Sequence, residues 1–85
     1  MAREQTVRIL AEMVANVIMV EVAVGDEVAV GDPVCLMESM KMEIPVLAEY
    51  GGVVSAIRVT PGDVVQEGDI LVELDSRGGG IRTRG

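Results

Sequence analysis

The sequence predicts an all-β fold, a sandwich or flattened barrel, and three observations carry that expectation. Valine recurs in short runs, Val17 to Val24, Val53 to Val59 and Val64 to Val72, and β-branched side chains suit a pleated surface. No stretch shows the apolar period of a long amphipathic helix. The chain also repeats itself. A shift of 37 positions lays residues 6–38 on residues 43–75 with ten of 33 pairs identical, among them Leu10/Leu47, Val17/Val54, Gly25/Gly62 and Asp32/Asp69. Two copies of one small unit can bury their apolar faces by closing on each other.

Each copy reads as strand, strand, turn, short strand, turn, strand. In the first, Val20-Glu21-Val22-Ala23-Val24 alternates as a strand with one inward face does. "GDEVAVGD" follows, and its Gly25-Asp26 and Gly31-Asp32 pairs supply turns. Glycine tolerates positive φ, and an aspartate carboxylate accepts hydrogen bonds from nearby amides. The second copy repeats the order, with Ile57-Arg58-Val59 alternating and "GDVVQEGD" supplying the turns. Pro61-Gly62 specifies a type II turn. Pro45 lacks a ladder donor and marks an edge strand. Ala15 stands where the second copy has Gly52, so a bend there needs negative φ or help from Asn16. About eight strands result, in one domain over 6–75. An N-terminal tail (1–5) precedes it, and a flexible, glycine-containing tail, "SRGGGIRTRG" (76–85), follows.

Eighty-five residues hold one small core and leave little room for a deep pocket. Hydrophobic residues make up 49%, yet Tyr50 is the only aromatic, so the core is aliphatic. Residues 12–75 carry thirteen acids against Lys41 and Arg58, a net of −11; the ends contribute +4, giving −7 overall. An acidic body without stacking aromatics is no nucleic-acid binder. The first ten residues lack the apolar run of a secretory signal, and no stretch is long enough to span a membrane. The single Cys35, between Val34 and Leu36, reads as a buried thiol, and without histidine no zinc site is credible. A reducing cytoplasm fits these features. No nucleophile–base pair is present for a hydrolytic enzyme.

The copies meet at Ser39-Met40-Lys41-Met42, and Lys41 is the only lysine in the chain. If a pseudo-twofold axis relates the halves, this hairpin (39–42) lies at the end of the barrel opposite the chain exit near Ser76–Gly78. Lys41 then occupies an exposed tip far from both termini. Such a lysine is either a solvated turn residue or the attachment point of a prosthetic group, because acylation removes its charge and leaves a long arm. On a regular hairpin Met40 and Met42 point one way and Lys41 the other. The methionines serve either as core filler or as an adaptable contact surface. Glu38 and Glu43 are either a solvated face or contacts for a modifying enzyme.

"ESMKME" resembles the attachment motif of biotinyl domains, usually Glu-Ala-Met-Lys-Met, with Ser39 at the alanine position. The resemblance covers residues 7–75, including both Gly-Asp turn sets and Gly52. It lies nearer to small free-standing biotin-attachment proteins than to large carboxylases. The family likeness implies two four-stranded antiparallel sheets in a flattened barrel of the biotinyl/lipoyl (hybrid-motif) type, with the lysine in a tight turn. It implies biotin bound covalently to Lys41, with Met40 and Met42 as the flanking pair and Glu38 as the preceding acidic position. The partners implied are a biotin–protein ligase, a biotin carboxylase and a carboxyltransferase, as in acyl-CoA carboxylases, for which this chain carries carboxyl groups without catalysing. The "thumb" insertion of some carriers has no counterpart. A lipoyl carrier shares the fold but typically shows Asp-Lys-Ala at the lysine; an unmodified assembly subunit is the remaining alternative.

Overall fold

The computed structural model describes residues 4–77, and every regular element there is a strand. In chain order these are β1 (Glu4–Leu10), β2 (Ala15–Val20), β3 (Glu27–Val28), β4 (Pro33–Ser39), β5 (Met42–Leu47), β6 (Gly52–Ile57), β7 (Val64–Val65) and β8 (Ile70–Arg77). They form two antiparallel four-stranded sheets, ordered β1-β8-β6-β3 and β5-β4-β2-β7. This is the expected architecture, and the sequence repeat explains it. Moving each strand of the first sheet to its counterpart 37 positions away reproduces the second sheet in the same order.

The halves are clasped rather than merely stacked. Ala11 N–H donates to the Asp69 carbonyl and Ala48 N–H to the Asp32 carbonyl, both at 2.8 Å. Val17 N–H donates to the Asp63 carbonyl and Val54 N–H to the Asp26 carbonyl, again at 2.8 Å. Each bond joins one copy to the other, and each has its twin. The Gly-Asp turns make this possible. In the turn Thr60–Asp63, Gly62 has φ 98° and Asp63 N–H donates to the Thr60 carbonyl at 3.0 Å, the type II geometry expected of Pro61-Gly62. Asp63 Oδ2 also accepts from Thr60 N–H at 2.9 Å. The same carboxylate-to-amide bond recurs at Asp26, Asp32 and Asp69.

Some local readings differ from the structure. The alternating segment Val20–Val24 leaves the ladder after Val20, and Ile57–Val59 leaves it after Ile57. One further bond holds each, from Glu21 N–H to the Val34 carbonyl and from Arg58 N–H to the Leu71 carbonyl, both 2.9 Å. The chain must then rise into the Gly25 and Gly62 turns, and alternation alone does not register that departure. Ala15 needs no special backbone: its φ is not positive, and its side chain is buried at the head of β2. Strands also reach into the segments expected to be tails, since β1 begins at Glu4 and pairs it with Arg77 of β8. The remainder of those tails, 1–3 and 78–85, lies outside the described residues.

Core positions obey the repeat as well. Val34 and Leu71, Cys35 and Val72, Met37 and Leu74 are dyad-related pairs, all buried, and no charged or polar residue is buried among the described ones. Burial, and secondarily the Glu21 carboxylate, pushes the Cys35 thiol from the ordinary 9.0 up to about 11. The folded state therefore favours the protonated thiol, while the unfolded chain ionises near 9.0. This contribution to stability is complete below about pH 9 and is lost as the pH rises towards about 11. The urea midpoint should fall across that window, and Cys35→Ala should flatten this part of the decline. A midpoint profile unaltered by the substitution would contradict the assignment.

Candidate attachment site at the β4–β5 turn

The register of β4 against β5 runs through Met37↔Ile44 and Glu38↔Glu43 and closes at Ser39↔Met42. Only Met40 and Lys41 remain to reverse the chain. A two-residue hairpin that matches the right-handed strand twist needs positive φ at both positions, the type I′ turn. Met40 has φ 54° and Lys41 has φ 66°, and they are the only non-glycine residues with positive φ among those described. Such a conformation costs roughly 1–2 kcal/mol per residue outside glycine. The surrounding structure holds the turn in place from two sides. The Ser39↔Met42 rung closes its base, and Ser39 Oγ donates to the Val14 carbonyl at 3.1 Å, linking the turn to the β1–β2 connection.

Met40 and Met42 do not alternate with Lys41 as on a regular strand, because Met40 and Lys41 are turn residues and only Met42 belongs to a strand. Neither methionine is core filler: Met40 is 90% exposed and Met42 63% exposed. Lys41, Glu38 and Glu43 are exposed too. The two glutamates face each other across the hairpin without clamping the lysine. Among the described residues the one ion pair is Arg58–Glu73, 3.0 Å, on the other sheet. The turn thus presents an unpaired primary amine, flanked by thioethers and backed by two carboxylates. That chemistry suits acylation of nitrogen; no group of side chains able to hold a metal occurs among the described residues.

Topology sets the direction in which this tip points. Asn16, near the start of β2, pairs with Glu38 at the tip end of its sheet. The connection 11–14 joins that point to Leu10, the end of β1 remote from Glu4 and Arg77. Tip and chain ends therefore lie at opposite poles. Sequence reasoning located the hairpin but missed the left-handed pair and the Ser39–Val14 tie. Met-Lys is a poor type I′ dipeptide, and nothing in the sequence flags a carbonyl 25 positions away.

Comparison with known proteins agrees with this geometry. A family model described as "biotin-requiring enzyme" matches residues 8–74. The biotinylated protein TB7.3 homolog of Mycobacterium leprae (strain TN) is 52% identical over 64 residues, covering 75% of this chain and 90% of its own length. The biotin/lipoyl attachment protein of Bacillus subtilis (strain 168) is 43% identical over 65 residues, covering 76% and 89%. The crystal structure of Kluyveromyces lactis urea carboxylase superposes with a TM-score of 0.77 at 33% identity, over 82% of this chain and 6% of that one. A single-chain, multi-domain long-chain acyl-CoA carboxylase superposes with a TM-score of 0.78 at 28% identity, over 94% and 8%. This chain thus spans most of the two small relatives and a minor part of the two carboxylases. A duplicated barrel with its lysine on the turn between the copies, matched over residues 8–74, belongs to the biotin/lipoyl attachment family.

Proposed function

We propose that this chain is a biotin carboxyl carrier in which Lys41 Nζ takes biotin in amide linkage from a biotin–protein ligase, and that it works between a biotin carboxylase and a carboxyltransferase. One observation carries the assignment to Lys41: the only lysine in the chain stands exposed and unclamped on a two-residue turn. The residues present fit the group, since an amide needs only an accessible amine and this one has no carboxylate to displace. Biotin, when bound there, supplies a ureido nitrogen that can hold a carboxyl group.

The chain's own residues do the rest by placement. Met40 and Met42 offer polarizable, adaptable surface to more than one enzyme face. Glu38, exposed at the rung before Ser39, serves as a contact for the ligase. The clasped barrel keeps the tip projecting, so the linkage on Lys41 moves while its base stays fixed. Methionine on both sides of Lys41, in place of Asp-Lys-Ala, favours biotin over lipoate. In this reading the chain is a carrier and the chemistry of carboxylation belongs to its partners.

Intact-mass measurement on protein from biotin-replete cells tests the assignment. A single biotinyl increment is expected on the wild type and none on Lys41→Arg. A lipoyl increment would select the other branch of the family. No increment at all would sink the carrier reading in favour of an unmodified assembly subunit.

A further inference from the structure

The body carries a groove of about 1090 Å³, and none of residues 38–43 lines it. It runs over the C-terminal ends of the edge strands β1 and β5. Its walls come in pairs 37 positions apart, Leu10 with Leu47 and Glu12 with Glu49, so it sits on the pseudo-twofold axis. Leu10 is 45% and Leu47 47% exposed, with Val30 and Tyr50 exposed beside them. Apolar side chains gathered in one concavity mark a surface for contact. Around them Glu12, Glu49 and Glu67 stand against a single base, Arg8.

A second copy of this chain is a poor occupant, because each body carries −11 over residues 12–75 and like charges repel. The complementary occupant is basic and partly apolar. We propose that the groove docks an extended segment of a carboxylase partner in which apolar residues alternate with arginine or lysine, leaving the Lys41 tip free. The inference rests on the carrier reading: a carrier held at its waist keeps its tip near its enzymes at high effective concentration. The groove also assigns a direction to the segment. The lining departs from twofold symmetry: Glu67 stands where the axis relates it to Val30, and Arg8 and Tyr50 line the groove without their counterparts Pro45 and Met13. A basic residue belongs at the Glu67 end and an apolar one at the Val30 end.

The test titrates the full-length Lys41→Arg chain, labelled with nitrogen-15, with a synthetic hexapeptide of alternating arginine and isoleucine. Saturable amide shifts are expected at Leu10, Val30, Leu47 and Tyr50, weakened by salt, with Met40 and Met42 unmoved. Affinity should fall at least tenfold in Leu47→Lys and severalfold in Glu67→Val, both at half-exposed or exposed positions whose folding the same spectra report. A glutamate–isoleucine peptide of equal length should not bind. Shifts spread over the acidic surface without saturation, or affinity unchanged by both substitutions, would overturn the site. If deleting residues 78–85 by itself shifts the groove amides, the occupant is the chain's own Arg82–Arg84 segment and the partner assignment falls. The carrier reading is judged separately, since absence of biotin on wild-type Lys41 would leave the titration result standing.

Discussion

Exchanging the two turn residues, Met40→Lys with Lys41→Met, should abolish biotin attachment while leaving the barrel folded. Both positions have left-handed φ and both are exposed, so neither residue meets a new backbone penalty or a new contact. Composition, net charge and the Ser39↔Met42 rung are unchanged. What moves is the amine, by one residue, a shift of about 3.8 Å between adjacent Cα atoms. A ligase must bring that nitrogen to a reacting carbonyl, and misplacement by about 1 Å can already cost roughly 100-fold. The initial rate of attachment, followed by mass, should fall at least about 100-fold, with the thermal midpoint unmoved. Attachment at the wild-type rate would mean that the ligase reads any lysine on the tip, and the turn geometry would lose its functional meaning.

That experiment separates what the sequence specifies from what only the fold specifies. The repeat was legible because duplicated turns leave duplicated glycines: Gly25 and Gly62 both need φ 98°, and Gly31 and Gly68 need 94° and 92°. Their aspartates were legible for a similar reason, since each carboxylate serves its own turn within three residues. Once these markers are aligned, strand order and the dyad follow, and the dyad puts Lys41 at the pole away from the chain ends. Local chemistry of this kind survives in one dimension.

Long-range geometry does not. The left-handed Met40-Lys41 pair arises because β4 and β5 register closes at Ser39↔Met42 and leaves two residues for the reversal. Neither residue type favours that conformation, so propensity points elsewhere and register decides. The groove on the dyad is similarly silent in sequence. Leu10 and Leu47 look like ordinary strand residues until β1 and β5 are seen to be the edges of their sheets. The strand ends at Val20 and Ile57 are silent too, because alternating side chains continue after the ladder has ended.

Leu71→Ala should unfold the attachment tip together with the opposite sheet. Leu71 is fully buried in β8, a central strand of the sheet that does not carry Lys41. Truncating a buried leucine costs about 3 kcal/mol, a large share of the ~5–15 kcal/mol that holds a small domain. For a chain of this length that corresponds to a drop of roughly 15 °C in thermal midpoint. Val34→Ala removes the dyad-related side chain from β4, the strand that leads to the turn, and should cost somewhat less because valine is smaller. If each sheet melted alone, attachment would survive Leu71→Ala and fail only with Val34→Ala. The path of the chain argues otherwise: it crosses from sheet to sheet between β1 and β2, β2 and β3, and β3 and β4, as it does again from β5 to β8, and buried residues of both sheets fill one core. Attachment measured between the mutant and wild-type midpoints should therefore track the folded fraction in both variants along one common curve. Retained attachment in Leu71→Ala above its own midpoint would show that one sheet is enough to present Lys41, and the shared core would then have no part in holding the tip.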